Sequence, residues 1–426
     1  MDRRKLFCSA DDIDREKYII ATYFLQLDPQ RDVLARAADF AVGQSIGTWV
    51  ELPGVTEALE RDHLGKVVEV IDVPPCELNS QNAAGDSMSY VIRIAFPIGN
   101  FGPHFSMLLT TLLGNDASTS AQAKLMDISF PKAYAKAFGG PSFGIAGLRE
   151  LTGVYDRPLL LNMIKPCTGL SPEEGAKVFY ETALGGVDMI KDDELLGADT
   201  SFSTACGRVT AFQKAAQAAY EKTGKKAIYV VNVTCDSLHM LTMAERAVEL
   251  GAQALMVNFV NVGYGMMREL ADRAGVPILA HYAGCGMLCE GTHSGMASPL
   301  ALGKLPRLAG ADAVVMNTPY GGYPLRRQKY LQTIDCLTQP YHDLRPSMPV
   351  VGGKLHPGTV GKYVQELGQD IILGAGGSIQ GHPGGITAGA RAMLQAIEAA
   401  AAGIPANTYA LTRPELRQAL ELWGTE

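Results

Sequence analysis

From residue 158 onward, short apolar runs alternate with longer segments in which apolar residues recur three and four positions apart. The runs are PLLLNMI (158–164), VDMI (187–190), AIYVVNV (227–233), ALMVNF (254–259), PILAH (277–281), DAVVM (312–316), MPVVG (348–352) and DIILG (370–374). They are nearly continuous in hydrophobicity, as strands covered on both faces are. Between them lie helical patterns such as SPEEGAKVFYETALGG, MLTMAERAVELG and PGTVGKYVQELG. Several end at a glycine, where a helix C-terminus stops. Eight strands with helical crossovers predict a closed parallel (β/α)8 barrel over residues 141–426, in preference to an open doubly wound sheet. The tail NTYALTRPELRQALELWG predicts a short amphipathic helix packed on the barrel.

Residues 1–140 follow another rule. YIIATYFLQL (18–27) and MSYVIRIAFP (88–97) alternate as half-buried strands do, and DVLARAADFAVGQS (32–45) has helical period. This predicts a small N-terminal α+β domain of ferredoxin-like type with an antiparallel sheet, ending near GGPSFGIAGL (139–148).

Composition narrows the function. The 426 residues carry a net charge of −7 and no long basic run, which argues against nucleic acid or an anionic membrane as a partner. The N-terminus MDRRKLFCSADDIDREKY is charged throughout and no stretch is long and apolar enough to span a bilayer, so a cytoplasmic protein is expected. The eight cysteines have no repeating spacing, which suits a reducing compartment.

A barrel of this kind carries its site at the C-terminal ends of the strands. Those ends offer Lys165, the run Lys191-Asp192-Asp193-Glu194, Asn232, Asn258, His281, Asn317, and the glycine loops GGK (352–354) and GAGGS (374–378). Paired carboxylates at a strand mouth suit Mg²⁺, a hard cation that takes oxygen ligands. The alternative is a solvated surface ion pair. Placement opposite Lys165, His281 and the glycine loops favours the metal. Gly353, Lys354, Gly376 and Gly377 follow strands seven and eight, where barrels bind phosphate through backbone N–H groups. Cys285, Cys289 and His293 have metal-ligand spacing but no evident fourth ligand. Cys167 lies near Lys165 in sequence without a neighbour that would activate it as a nucleophile. His356 and His382 are expected to shape the turns that follow the glycine loops.

The segments GGVDMIKDDE (185–194) and MIKPCTGLSPEE (163–174) resemble the ribulose-bisphosphate carboxylase large-chain superfamily. So do IGTWVELPG (46–54), FGPHFSMLLTTLLGN (101–115), LMDISFP (125–131) and ILGAGGSIQGHPGG (372–385), in order over nearly the whole chain. The resemblance implies that Lys191 is carbamylated by CO₂ and then joins Asp193 and Glu194 around Mg²⁺. Three neighbouring acids should oppose the loss of a proton that this reaction needs. It also implies proton transfer at Lys165, a phosphate site including Thr48, Trp49, Gly376 and Gly377, and a pocket role for His281. Asn115 would reach the substrate and metal across the interface of a homodimer with shared sites.

Departures from the carboxylases are equally informative. The loop after strand six, MNTPYGGYPLRR (316–327), lacks their lysine, and the acid that pairs with that lysine is replaced by Gly43. Cys167 and Tyr282 stand where carboxylases have a lysine and an arginine. The chain therefore resembles the RuBisCO-like proteins, form IV, rather than a CO₂-fixing enzyme. In such proteins a Mg²⁺-dependent enzyme works through an enediolate of a phosphorylated keto acid or keto sugar. The leading expectation is a decarboxylase or transcarboxylase/hydrolase of the 3-oxo-isoapionate 4-phosphate type. The alternatives are a 2,3-diketo-5-methylthiopentyl-1-phosphate enolase or methylthioribulose phosphate isomerase type, and a non-catalytic regulatory protein. Enolase members carry a lysine at the position of Asn115, and its absence counts against the enolase here.

Overall fold

The computed structural model describes residues 3–47, 50, 52–75 and 87–425; Thr48 and Trp49 lie outside the described residues. The chain divides into two compact units, one of residues 1–139 with 284–305 and the other of residues 140–283 with 306–426.

The first unit is built on four strands, β1 (Tyr18–Leu27), β2 (Lys66–Val73), β3 (Met88–Pro97) and β4 (Lys124–Ser129). They form an antiparallel sheet in the order β2-β3-β1-β4. The two strands expected from alternation, β1 and β3, are the central pair. Both edge strands escaped notice because Lys66, Glu69 and Asp72 on β2, and Lys124 and Asp127 on β4, interrupt the apolar pattern. Charged edges are how sheets avoid unwanted pairing. The helix Val33–Gly43 starts at Asp32, whose carboxylate accepts the N–H groups of Leu34 and Ala35. It buries Ala37, Phe40 and Ala41, with the Phe40 ring 4.7 Å from that of Tyr23.

In the second unit every expected apolar run becomes a strand. These are β5 (Leu159–Met163), β6 (Met189–Lys191), β7 (Ile228–Asn232), β8 (Ala254–Asn258), β9 (Ile278–His281), β10 (Ala313–Met316), β11 (Met348–Gly352) and β12 (Ile372–Ala375). They pair in parallel and in chain order, and β12 closes on β5 through Ala375 opposite Asn162. Alternate residues fill the barrel: Leu159 and Leu161, Met189, Ile228 and Val230, Ala254 and Met256, Leu279, Val315, Val350 and Ile372. That apolar plug forces the next inward side chains out at the C-terminal mouth, where the polar groups begin. Charges at the other end are saturated. Arg157 is paired with Asp188 at 2.7 Å, and Asp312 accepts N–H bonds from Phe143, Gly144 and Ile278.

The covering helices carry ordinary stop and start signals. Pro172–Leu184 opens with a capping box of Ser171 and Glu174, and Ala205–Thr223 ends at Gly224 in left-handed geometry. The tail forms two short turns and then the helix Pro414–Trp423, with proline in its first turn. No helix among the described residues is long and apolar enough to cross a membrane.

Candidate functional site

Strand β6 ends at Lys191, the first residue of the candidate lysine–acid run, and the residues of that run take different partners. Asp192 turns away from the barrel interior. Its carboxylate accepts from the Tyr229 hydroxyl at 2.7 and 2.8 Å, from the Asn232 N–H at 2.9 Å and from Arg208 Nε at 3.1 Å. Asp192 and Arg208 are each 1% exposed. This acid is fully satisfied and holds β6, β7 and the helix Ala205–Thr223 together.

Lys191 and its following acids are less completely matched. Lys191 is fully buried, and its Nζ donates to the Asp192 carbonyl at 2.8 Å while lying 3.8 Å from Glu194 Oε2. Burial pushes its pKa below the usual lysine value, against the opposing pull of Glu194, Asp193 and Asp192. The three acids do oppose loss of the proton, as expected, but desolvation outweighs them and eases formation of the neutral amine that reacts with CO₂. Lys165 Nζ meets Asp193 Oδ2 at 2.5 Å and Cys167 Sγ at 3.0 Å. Burial disfavours charge on Lys165, but the bonds to Asp193 and Cys167 prevail and raise its pKa.

His281 closes this group. Its Nδ1 accepts the Ala283 N–H at 3.2 Å, so the ring proton resides on Nε2, which lies 3.4 Å from Glu194 Oε2. Burial pushes its pKa well below the usual histidine value, which favours a neutral ring. The backbone of the acids is braced from neighbouring strands: Asn232 donates to the Asp193 carbonyl at 3.3 Å and Asn258 to that of Glu194 at 2.9 Å. Asn258 Oδ1 is itself buried without a hydrogen-bond partner among the described residues. Such an acceptor suits a water or ligand hydroxyl.

The glycine loops after β11 and β12 border the same cavity. Among the described residues the N–H groups of Gly353, Lys354, Gly376 and Gly377 find no backbone acceptor. A Cβ on Gly376 would stand 3.3 Å from the Met163 carbonyl and 3.4 Å from Lys165 Cε, so a side chain there would crowd the lysine. Lys354 adopts φ 58°, uncommon for a residue with a Cβ, and makes no ion pair among the described residues. It flanks Gly322 of the loop after β10, with its Cε 3.7 Å from where a Gly322 Cβ would stand.

Lys165, Lys191, Glu194, His281, Gly353, Lys354, Gly376 and Gly377 all line one cavity of about 930 Å³, and Asp193 adjoins it through Lys165. Tyr282, Met316, Tyr320 and Tyr323 give it an aromatic and apolar side, and Trp423 contributes from the C-terminal helix. Tyr282 and the loop holding Tyr320 and Tyr323 were marked in the sequence as departures from the carboxylases, without a role as a cavity wall; Trp423 was missed, its one signal being its place at the end of an amphipathic helix, just before Gly424. A larger groove of about 1180 Å³ runs over the helices Pro172–Leu184 and Ala205–Thr223 and holds none of the strand-end groups. Chemistry, rather than size, marks the strand-end cavity as the site.

Asn115 is exposed in the first unit, at the start of the turn Asp116–Ala121. In the same unit the Asp116 carboxylate occupies the space that a Cβ on Gly43 would take, which gives a steric reason for glycine where carboxylases have an acid. Cys285 and Cys289 approach to 3.3 Å between sulfurs, but His293 stacks against Phe24 instead, and no metal cluster of three or more His, Cys, Asp and Glu groups occurs among the described residues.

A closed parallel barrel with an acid–lysine cluster and glycine loops at the C-terminal mouth of its strands has the architecture of a barrel enzyme. The family is then settled by comparison. Residues 144–423 match the ribulose bisphosphate carboxylase large chain catalytic domain, and residues 7–134 its N-terminal domain. The chain belongs to this family, as a RuBisCO-like enzyme. It is 44% identical over 393 residues to a ribulose bisphosphate carboxylase-like protein of Archaeoglobus fulgidus, covering 92% of this chain and 89% of the relative. It is 36% identical over 408 residues to the 2,3-diketo-5-methylthiopentyl-1-phosphate enolase of Geobacillus kaustophilus, covering 95% and 98%. The solved rubisco-like protein MtnW of Alicyclobacillus acidocaldarius superposes with a TM-score of 0.88 at 36% identity, covering 96% of this chain and 100% of that one.

Proposed function

We propose that the chain is a Mg²⁺-dependent enolase of a phosphorylated diketone, of the 2,3-diketo-5-methylthiopentyl-1-phosphate type. The observation that carries this is the unevenness of the cavity. Unspent N–H groups and Lys354 gather after β11 and β12, whereas Tyr282 follows β9, Met316 ends β10, and Tyr320 and Tyr323 lie in the loop after it. A substrate with one phosphate and an apolar thioether tail matches both. A 3-oxo aldonate phosphate, expected first from sequence, brings hydroxyls and a carboxylate where aromatic rings stand. The named enolase relative supports the same choice.

Asp193 and Glu194 alone are too few for a metal cage, consistent with the absence of a three-group cluster among the described residues. The buried, neutral-leaning amine of Lys191, 3.8 Å from Glu194, fits a CO₂ adduct that adds the missing oxygen ligands. Lys191 as its carbamate, Asp193 and Glu194 would hold Mg²⁺, which when bound supplies positive charge to a developing enolate oxygen.

The remaining work falls to this chain's side chains. Gly353, Lys354, Gly376 and Gly377, with Thr48 and Trp49 as further candidates, fix the phosphate. Lys165 Nζ moves the proton at the carbon beside the ketone. The lysine expected of enolases at position 115 is Asn115, which cannot take a proton, so Lys165 is the base within reach of the cavity. Its proton affinity is held up by Asp193; once that carboxylate is engaged elsewhere, burial acts on Lys165 and lowers it. Neutral His281 can donate from Nε2 to a substrate oxygen. Asn115, exposed in the other unit, is assigned to the site of a second copy in a homodimer.

The test uses the full chain with Mg²⁺ and bicarbonate in D₂O, followed by proton NMR. With 2,3-diketo-5-methylthiopentyl 1-phosphate the account predicts deuterium uptake beside the ketone and enol formation. No exchange with that compound, together with CO₂ release from a 3-oxo aldonate phosphate, would return the decarboxylase to first place.

A further inference from the structure

The C-terminal helix is fastened to the phosphate side of the barrel by specific contacts. His382, 4% exposed on the loop after β12, accepts the Gly384 N–H on Nδ1 at 3.0 Å. Its proton therefore sits on Nε2, which donates to the Glu415 carbonyl at 3.0 Å, in the first turn of the helix Pro414–Trp423. Gln395 grips the same turn twice, donating to the Glu415 carboxylate at 3.0 Å and accepting the Leu416 N–H at 3.1 Å. At the far end the Gly424 carbonyl packs directly against Gly358, leaving no room for a Cβ there. Two anchors fix the helix, and its last residue, Trp423, is left facing the cavity.

The indole stands 6.5 Å from the His356 ring and 6.3 Å from the His382 ring, centroid to centroid. It is half-buried, and its Nε1–H donates to no group among the described residues. A tail helix held only for stability would bury this ring and satisfy its N–H. Instead the donor is left without an acceptor among the described residues, on the wall of the cavity that Lys354 and the glycine loops also line.

The geometry points to Trp423 as a ligand-binding residue: its indole walls the phosphate end of the cavity, and its N–H joins Lys354 and the glycine loops around a phosphate monoester. This extends the assignment of the cavity to a phosphorylated substrate and rests on it. The C-terminal helix thereby becomes part of the site.

The chain contains two tryptophans, Trp49 and Trp423, so 5-fluorotryptophan labelling of the full chain gives two fluorine resonances. The one missing from W423F belongs to Trp423. Titration with inorganic phosphate and with an alkyl phosphate should move that resonance saturably. W423A should weaken phosphate about tenfold and raise KM by a similar factor, with kcat within about twofold. W423F keeps the ring over His356 and lacks the N–H, so it should restore part of the affinity. A Trp423 resonance that stays fixed while calorimetry records phosphate binding overturns the role of Trp423 and leaves the cavity assignment standing. No phosphate binding by calorimetry, in wild type under the same conditions, overturns both.

Discussion

Asp192 and Asp193 are adjacent in sequence and serve opposite ends. Asp192 meets Arg208, Tyr229 and Asn232 in a dry corner where both carboxylate oxygens are hydrogen-bonded. Among the described residues Asp193 accepts a side-chain hydrogen bond from Lys165 alone, beside an amine that burial has made reluctant to hold its proton. A charge with all its partners fixes a fold, whereas a cluster with more acids than settled cations is ready for a ligand. Both lie just beyond β6, which ends at Lys191, and the division is made by the partners each meets.

Breaking the second cluster should have the largest effect on turnover. Lys191→Met removes the group that CO₂ modifies and should lower kcat by about a thousandfold or more, while the fold tolerates an apolar chain of similar length. Steady-state kinetics with and without bicarbonate, alongside urea unfolding, read both. A variant that keeps wild-type turnover would erase the distinction between the two acids.

Breaking the first cluster should act on stability. Arg208→Met leaves Asp192 charged and buried without its cation, at a cost of about 3–5 kcal/mol. Urea unfolding measures this, and the surviving folded fraction at low temperature should turn over within a few-fold of wild type. A stable but inactive R208M would place Asp192 in the chemistry.

The smallest effect concerns pH. The folded-state pKa of Lys191 is depressed, so between that value and the ordinary lysine value of about 10.4 the unfolded chain binds more protons. Stability contributed by this residue therefore rises with pH over that window. Lys165 has the opposite sign: its pKa is raised, and its contribution is lost as pH climbs through the raised value. It is 38% exposed at the side chain, so screening weakens it and Lys191 dominates below pH 10. In chelator and CO₂-free buffer, the stability of wild type relative to K191M should increase from pH 7 to 10. A flat difference would mean that Lys191 is not desolvated.

Much of this was legible in the amino-acid order. Buried parallel strands announce themselves as continuous apolar runs, and the lysine–acid run at the end of β6 stood out because it follows one. Edge strands β2 and β4 did not, since their charges mimic loops. Local sequence showed only one of the two influences on Lys191. Its three acidic neighbours are visible in one line of text, but the desolvation that outweighs them comes from the whole barrel closing around it. Trp423 escaped for a related reason: it enters the cavity from a tail remote in sequence. The substrate order changed too, because a missing lysine at Asn115 weighs less than an aromatic cavity side and a named enolase relative.

Carbon-13 NMR of the full chain with Mg²⁺ and ¹³C-bicarbonate tests the central claim most directly. The account predicts one protein-bound carbamate resonance in wild type, its growth tracking activity, and its loss in K191M. Full turnover in chelator and CO₂-free buffer, with no carbamate resonance at any bicarbonate concentration, would contradict it.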